Sequence, residues 1–181
     1  MVIFMKILVV SCSPRAVSCS SALAEEFIQG ARSSGNEVFH YSLAGKSLHG
    51  CNACKYCYTH GGACIQQDDI APIIDQMRTC EMLVLATPTY YYSLPAQTKM
   101  VLDRMYARRG KPLAIRKSAL LVTLEDSADQ AELLTAQYRT AADYMGWEDM
   151  GVVCAGGMYG NTVPDAHPAR KQARELGAMI S

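Results

Sequence analysis

Short, nearly continuous apolar runs alternate along the chain with longer segments in which apolar residues recur about every four positions. Runs of this kind are typical of parallel strands covered on both faces, whereas the longer period indicates amphipathic helices. The runs predict strands at Ile3–Ser11, Glu37–Ser42, Met82–Thr87, Ser118–Thr123 and Met150–Ala155. The periodic segments predict helices at Ser21–Ser33, Ile70–Arg78, Ala96–Arg108, Ala128–Met145 and Pro168–Met179.

The alternation of strands and helices also predicts the layout of the chain. Right-handed crossovers place helices on both faces of a parallel sheet, so we expect a three-layer, doubly wound α/β fold with five strands in the flavodoxin-like order 2-1-3-4-5. No repeat or linker divides the chain, which predicts one domain over residues 1–181 with a cysteine-rich loop inserted at about 45–69. Ligands of such sheets bind at the carboxyl ends of the strands. The loops at those ends are Cys12–Ser20, Pro88–Leu94, Leu124–Ser127 and Gly156–Pro164.

The composition excludes several classes of protein. Half of the 181 residues are hydrophobic, and 17 Lys and Arg balance 17 Asp and Glu, which argues against a disordered chain and against a nucleic-acid-binding surface. No apolar run approaches the ~20 residues of a membrane helix, and Lys6 interrupts the first run, so we expect neither a membrane segment nor a signal peptide. Eight cysteines without an export signal indicate a reducing compartment, and we expect a cytoplasmic protein.

The loop after the first predicted strand has the composition of a phosphate-binding loop. The segment from Ser11 to Ser21 contains five serines and one arginine and leads into a predicted helix. Hydroxyl groups and free amides at a helix start donate hydrogen bonds to a terminal phosphate, and Arg15 supplies positive charge. A helix cap at Ser18 or Ser20 is the alternative, although it explains only one of the five serines. Neither a dinucleotide-binding glycine motif nor a Walker lysine motif is present.

Two further loops carry residues suited to a planar ligand. Three adjacent aromatic residues, Tyr90, Tyr91 and Tyr92, follow the third predicted strand, where they can stack on a flat ring system. A subunit interface is an equal alternative for any one of them, because tyrosine is enriched there too. Gly156 and Gly157 follow the fifth strand and allow the backbone to approach a ligand closely, although a simple turn has the same composition.

Taken together, these motifs resemble a known family. Ser13-Pro14-Arg15, the segment from Thr87 to Ser93 with Pro95-Ala96-Gln97, and Asp103-Arg104 are similar in order and spacing to the flavodoxin-like NAD(P)H-dependent FMN reductases. The resemblance implies that the FMN phosphate is surrounded by Ser13, Arg15, Ser18, Ser20 and Ser21. It also implies an isoalloxazine site lined by Pro88, Thr89, Tyr90, Tyr91, Tyr92 and Ser93. Cys12 stands where the family usually has Gly, and Cys19 where it often has Asn.

Four cysteines in the inserted loop form the sharpest motif in the sequence. Cys51, Cys54, Cys57 and Cys64 have the spacing C-x2-C-x2-C-x6-C, and the Gly61-Gly62 pair gives the fourth thiol freedom to close around a cluster. This spacing favours a [4Fe-4S] cluster over a structural zinc ion, whose ligands generally come from two separated knuckles. The family resemblance leaves both outcomes open, since similar segments occur in iron–sulfur flavoproteins and in reductases that carry only FMN. Asp68 and Asp69, just beyond, are interpreted as an N-terminal cap of the helix at Ile70.

These observations predict an FMN-dependent oxidoreductase or electron-transfer flavoprotein with a [4Fe-4S] cluster on the Cys51–Cys64 loop. A cluster-free NAD(P)H-dependent FMN or quinone reductase is the first alternative, and a zinc- or redox-sensing binding protein is the second. No side chain is needed as a catalytic acid or base, because the cofactors carry the chemistry. The resemblance implies NAD(P)H as an electron donor and a homodimer or homotetramer, and we expect a small-molecule or protein redox partner.

Overall fold

The computed structural model describes residues 4–180, and in this range it has one five-stranded parallel sheet. The strands are β1 (Lys6–Ser11), β2 (Glu37–Ser42), β3 (Met82–Pro88), β4 (Lys117–Thr123) and β5 (Glu148–Ala155). They lie in the order β2-β1-β3-β4-β5, and each neighbouring pair is parallel. The predicted doubly wound, flavodoxin-like fold is therefore confirmed.

The helices cover both faces of this sheet. They are α1 (Cys19–Ser33), α2 (Tyr56–Thr59), α3 (Ala71–Gln76), α4 (Ala96–Arg104), α5 (Glu132–Met145) and α6 (Pro168–Ala178). Alternate residues of β1 point to opposite layers: Ile7 and Val9 pack with α1 and α6, whereas Leu8 and Val10 pack with α3, α4 and α5. Burial on both sides explains the nearly continuous hydrophobicity of the strands.

The boundaries of several elements differ from the predicted ones by a few residues. The first predicted residue of the first strand, Ile3, lies outside the described residues, and β1 begins at Lys6. The predicted strand at Met150 begins earlier, at Glu148, because polar edge residues that pair with β4 carry no apolar signal. The helix predicted over Ala96–Arg108 ends as an α-helix at Arg104 and continues as a 3-10 helix over Met105–Arg109, a common form of helix end.

Two other helices also differ from the prediction. The first turn of the helix predicted from Ala128 is a 3-10 helix over Ala128–Ala131. The short helix α2 lies inside the cysteine-rich insertion, where no helix was predicted, because four residues are too few to show a period. None of the helices within residues 4–180 has the length and apolar character needed to cross a lipid bilayer.

Candidate functional site

A cavity of about 400 Å3 opens at the carboxyl edge of the sheet. Its walls come from the ends of β3 and β4 and from the loops after β1, β3, β4 and β5. The register of the sheet explains this convergence, because Ser11 pairs with Ala86, and Thr123 pairs with both Pro88 and Ala155. The strands thus end at one level, and the loops that follow them meet around one space, as expected for this type of sheet.

The loop after β1 gives one end of the cavity an affinity for anions. Ser18 is the N-cap of α1, and its Oγ accepts a hydrogen bond from the backbone amide of Ser21 at 3.2 Å. No acidic residue lies in the first turn of α1, so the positive end of the helix dipole is not neutralised there. Arg15 adds a guanidinium group, which donates from Nη1 to Oδ1 of Asn161 at 3.0 Å. Ser13, Arg15 and Ser18 all line the cavity.

Ser20 and Ser21, also predicted to surround a phosphate, do not line the cavity but support Ser18. The Oγ atom of Ser18 lies 3.3 Å from that of Ser20 and 2.8 Å from that of Ser21. Ser20 is fully buried. The capping interpretation and the phosphate-site interpretation are therefore compatible, since a single serine caps the helix and faces the cavity while two others fix its position.

The tyrosine loop forms a second wall and has a strained backbone. Tyr90 and Ser93 exchange two backbone hydrogen bonds of 3.1 Å, and the two residues between them, Tyr91 and Tyr92, have positive φ angles of 50° and 59°. Positive φ at both central residues is the pattern of a type I′ turn, which normally takes Asn and Gly. Such a conformation costs about 1–2 kcal/mol per non-glycine residue. Strain of this kind is concentrated at ligand-binding sites.

The tyrosine side chains of this turn face the cavity and the solvent. Tyr90, Tyr91 and Tyr92 line the cavity together with Pro88 and Thr89, and Tyr91 is 100% exposed. The hydroxyl group of Tyr92 donates a hydrogen bond of 2.8 Å to Oδ2 of Asp126. This hydrogen bond raises the pKa of Tyr92, because ionisation would remove the donated proton and place two negative charges together.

Three further residues predicted from the sequence also do not line the cavity. Ser93 donates from its Oγ to Oε1 of Gln137 on α5 at 3.2 Å. A Cβ atom at Gly156 would lie 2.5 Å from the backbone nitrogen of Ala128, so this glycine serves close packing of two loops. Gly157 has a φ of 74° and donates from its backbone to the carbonyl oxygen of Asp126. The two glycines thus fix the loop after β4 against the loop after β5.

Eight cavity-lining residues were not named as site residues in the sequence analysis. Most of them lie in loops that the rule on strand ends did select, but no distinctive motif marks the individual positions. They are Cys19, Thr123, Leu124, Glu125, Asp126, Met158, Tyr159 and Gly160. Cys19 donates a weak hydrogen bond from Sγ to the carbonyl oxygen of Gly160 at 3.3 Å, which joins the first loop to the last. Glu125 and Asp126 place two carboxyl groups in the cavity lining, whereas Arg15 places a guanidinium group there.

A second cavity, of about 350 Å3, is lined by all four cysteines of the insertion. The structure thus brings Cys51, Cys54, Cys57 and Cys64 to one space, and all four are free thiols. Within residues 4–180, no group of three or more His, Cys, Asp or Glu side chains is arranged to hold a single metal ion. Burial, followed by the charges of the three neighbouring thiols, raises the pKa of Cys57. The four cysteines therefore line one space, and Cys57 lies close enough to the other three to be affected by their charges.

The backbone around Cys54 is held in an unusual conformation. The residues on either side of it, Ala53 and Lys55, have positive φ angles of 52° and 60°. The next turn is packed closely against the domain, since a Cβ atom at Gly110 would lie 1.9 Å from the carbonyl oxygen of Cys57. Left-handed residues on both sides of one cysteine redirect the chain sharply, which lets cysteines close in sequence face the same cavity.

The insertion is attached to α4 through a buried ion pair. Arg104 donates from Nη1 to Oδ2 of Asp68 at 2.8 Å, and the two side chains are only 1% and 2% exposed. Burial disfavours ionisation of Asp68, but the hydrogen bonds from Arg104 and from the amide of His49 outweigh burial and lower its pKa. Asp68 also accepts a hydrogen bond from the amide of Ile70 at 3.2 Å. The predicted helix cap is therefore a minor part of its role, and α3 itself begins at Ala71.

The two cavities lie near opposite ends of α4 and share no lining residue. The tyrosine loop precedes the first residue of α4, Ala96, whereas the cysteine cavity contacts its last residues, Asp103 and Arg104. A nine-residue helix is about 13 Å long. The two cavities of one chain are therefore distinct sites at the two ends of this helix.

The fold and the cavity at the strand ends define a flavodoxin-like α/β protein. An NAD(P)H:quinone oxidoreductase from Methanothermobacter marburgensis has the same fold, with a TM-score of 0.73 and 17% identity over 99% of this chain and 100% of that one. A flavodoxin from the domain Archaea gives a TM-score of 0.60 at 16% identity, over 96% of this chain and 94% of that one.

Sequence comparison identifies the family. Residues 5–160 match the family of NADPH-dependent FMN reductases, and the chain belongs to this family of flavin-dependent oxidoreductases. The resemblance derived from the loop motifs is thereby confirmed.

Among curated relatives, an iron-sulfur flavoprotein of Methanocaldococcus jannaschii is 33% identical over 111 residues, which are 61% of this chain. An iron-sulfur flavoprotein of Archaeoglobus fulgidus is 24% identical over 169 residues, which are 93% of this chain and 76% of the relative. The match to the M. jannaschii protein spans only 54% of the length of that relative.

The strain in the tyrosine turn leads to a prediction about stability. Replacing Tyr91 with Asn, which tolerates positive φ, is expected to raise the free energy of unfolding by about 1 kcal/mol, because the fully exposed ring of Tyr91 packs against nothing. Urea denaturation followed by circular dichroism measures the change. Tyr90→Asn is the matched control, since Tyr90 belongs to the same turn but lacks a positive φ. Equal or lower stability of Tyr91→Asn would show that the turn is not strained.

Proposed function

We propose that this protein is an electron-transfer oxidoreductase that binds FMN in the cavity at the strand ends and a [4Fe-4S] cluster in the cysteine cavity. One observation carries the proposal: the chain builds two separate cavities, one lined by phosphate-binding and aromatic groups and the other by four thiols. Membership in an FMN reductase family supports the first part, and the names of the archaeal relatives support the second.

The residues of the first cavity fit FMN. The hydroxyl groups of Ser13 and Ser18, the start of α1 and the guanidinium of Arg15 would hold the phosphate. The tyrosines, Pro88, Thr89 and Thr123 would border the isoalloxazine ring. A volume of about 400 Å3 lies within the range of small-molecule sites. Ser20, Ser21, Ser93, Gly156 and Gly157 would act indirectly, by fixing the loops that touch the cofactor.

The residues of the second cavity fit a cluster better than a single ion. Zinc requires four ligands within about 2.3 Å of one centre, and the described cysteines do not converge in this way. A cluster presents several iron atoms to its ligands and therefore suits thiols that surround a larger space. The cluster-free reductase and the zinc-binding protein are the two alternatives that experiment must separate from the cluster.

The chain itself positions and shields the two groups. When bound, FMN exchanges a hydride or single electrons and the cluster transfers single electrons. Arg15 would attract the phosphate end of the flavin nucleotide, and the carboxyl groups of Glu125 and Asp126 would repel it. The open, aromatic rim at Tyr91 leaves room for the nicotinamide of NAD(P)H or for another small redox partner. No described side chain is required to exchange a proton with the substrate.

We also propose that the protein is a homodimer or homotetramer. The two cavities of one chain lie near opposite ends of α4, which is about 13 Å long, whereas a second subunit could bring its cysteine loop close to the exposed tyrosine turn. Tyr91, Tyr92 and Tyr159 form an exposed aromatic rim that such a subunit would cover. Sedimentation equilibrium is expected to give a mass of two or four chains, and a monomer at micromolar concentration would contradict this proposal.

Cofactor analysis tests the main proposal. Protein purified without oxygen is expected to contain FMN together with about four iron and four acid-labile sulfide per chain. Cys57→Ser, which removes one ligand, should lose the iron and sulfide while keeping FMN, because Cys57 lies outside the first cavity.

Cys154→Ala is the control for this experiment, since Cys154 lies in β5 and lines neither described cavity. Wild-type protein that contains FMN but neither iron nor sulfide would favour the cluster-free reductase. Stoichiometric zinc without flavin absorbance would favour the zinc-binding alternative.

The phosphate site gives a separate prediction. Arg15→Ala is expected to weaken FMN binding at least tenfold, because a charge-assisted hydrogen bond contributes about 1.5–3 kcal/mol. Fluorescence titration of the cofactor-free protein measures the dissociation constants. Riboflavin, which lacks the phosphate, is the matched ligand, and its affinity should not change. Arg32→Ala, at the other end of α1, is the matched variant. An equal loss of affinity for FMN and riboflavin would place the phosphate elsewhere.

A further inference from the structure

Arg104 holds both ends of the cysteine segment at once. Its Nη1 atom donates to the carbonyl oxygen of His49 at 3.0 Å, and its Nη2 atom donates to that of Gln66 at 3.1 Å. His49 lies two residues before Cys51, and Gln66 lies two residues after Cys64. A single guanidinium group, itself paired with Asp68, therefore fixes the entrance and the exit of the segment that carries the four thiols.

One donor of this arginine has no partner. The Nε atom of Arg104 is buried and finds no hydrogen-bond acceptor among the described residues, although Arg104 lines the cysteine cavity. A buried donor without a hydrogen-bond partner lowers the stability of the folded protein, so an acceptor that is not among the described residues is expected here. The cavity that Arg104 lines offers sulfur as such an acceptor, because four of its lining residues are cysteines.

The charges around the cysteine cavity indicate that the guanidinium group of Arg104 has a strong electrostatic effect on it. Four thiolates and a cluster form a strongly anionic site, and its lining includes the cations Arg104 and Lys55 and the anion Asp103. Lys55 is exposed and its charge is screened by water, whereas Arg104 is buried. Arg104 is therefore the lining cation that acts most strongly on the site.

We propose that Arg104 is a positioning residue of the cluster site, which fixes the cysteine segment and offers its free Nε–H to a sulfur atom, and so raises the reduction potential of the cluster. The inference rests on the proposed function, since it requires a sulfur-ligated group in the cavity. Hydrogen bonds to the sulfur atoms stabilise the more negative, reduced cluster, and such outer contacts are a recognised control of its potential.

Spectroelectrochemical titration of the cluster in the complete, anaerobically purified protein tests this inference. In Arg104→Lys the positive charge remains but the Nε–H is lost, so the potential should become more negative. In Asp68→Asn the Nε–H remains and the opposing negative charge is removed, so the potential should become more positive. A purely structural clamp would leave the potential of Arg104→Lys unchanged wherever the cluster is retained.

Arg78→Lys is the matched control. Arg78 also has a buried, unpartnered Nε and also holds the insertion, through a hydrogen bond of 2.8 Å from Nη2 to the carbonyl oxygen of Gly62, but it does not line the cavity. The reduction potential of the cluster in Arg78→Lys should equal that in the wild-type protein. If the cluster has the same reduction potential in Arg104→Lys as in Arg78→Lys, the proposed role of Arg104 is wrong.

If Arg104→Lys fails to accumulate as folded protein, Asp68→Asn decides the question, and an unchanged or more negative potential in that variant overturns the inference. Wild-type protein without iron and labile sulfide would instead refute the proposed cluster, and with it the acceptor for Arg104. FMN absorbance reports in every variant that the first cavity is intact. The failure of the proposed function and the failure of this inference are thereby distinguished.

Discussion

The burial of both faces of the parallel sheet is the constraint on which the rest of the structure depends. Leu8 and Val10 face one helical layer and Ile7 and Val9 face the other, so every strand must be followed by a crossover that covers one face. Because of these crossovers, all the strands run parallel. The loops after β1, β3, β4 and β5 consequently meet at one edge of the sheet. The flavin-type cavity is a result of this arrangement, before any particular side chain is considered.

Much of the fold could be predicted because its physical causes are local. Continuous apolar runs and a period near four residues specify strands and helices independently of distant contacts. The start of β5 and the short helix α2 could not be predicted because they depend on distant contacts. Glu148 belongs to the sheet through its pairing with Lys117. The helix α2 lies in a loop that packs closely against Gly110. Pairing and packing between distant segments leave little trace in a short window of sequence.

The site could be predicted in part. Residues in local motifs were found, whereas residues whose role depends on contacts with distant positions were not. The serine-rich loop and the tyrosine triplet are compact motifs, and Ser13, Arg15, Ser18 and all three tyrosines do line the cavity. Gly156 and Gly157 have the composition of a ligand loop, yet their neighbours are other loops, which only the three-dimensional structure reveals. Arg104 was noticed only as part of a family motif. Its partners Asp68, His49 and Gln66 are 36 to 55 positions away, beyond the reach of any local pattern.

The separation of the two cavities along α4 has a consequence for how such proteins diversify. The cysteine segment leaves the domain after β2 and returns before α3, and its buried attachment is made mainly through one arginine. No wall of the strand-end cavity comes from this segment. Shortening or rebuilding the segment would thus remove the cavity of four thiols without altering the cavity at the strand ends. The architecture is modular: a lineage can gain or lose the thiol site through changes confined to a single surface loop.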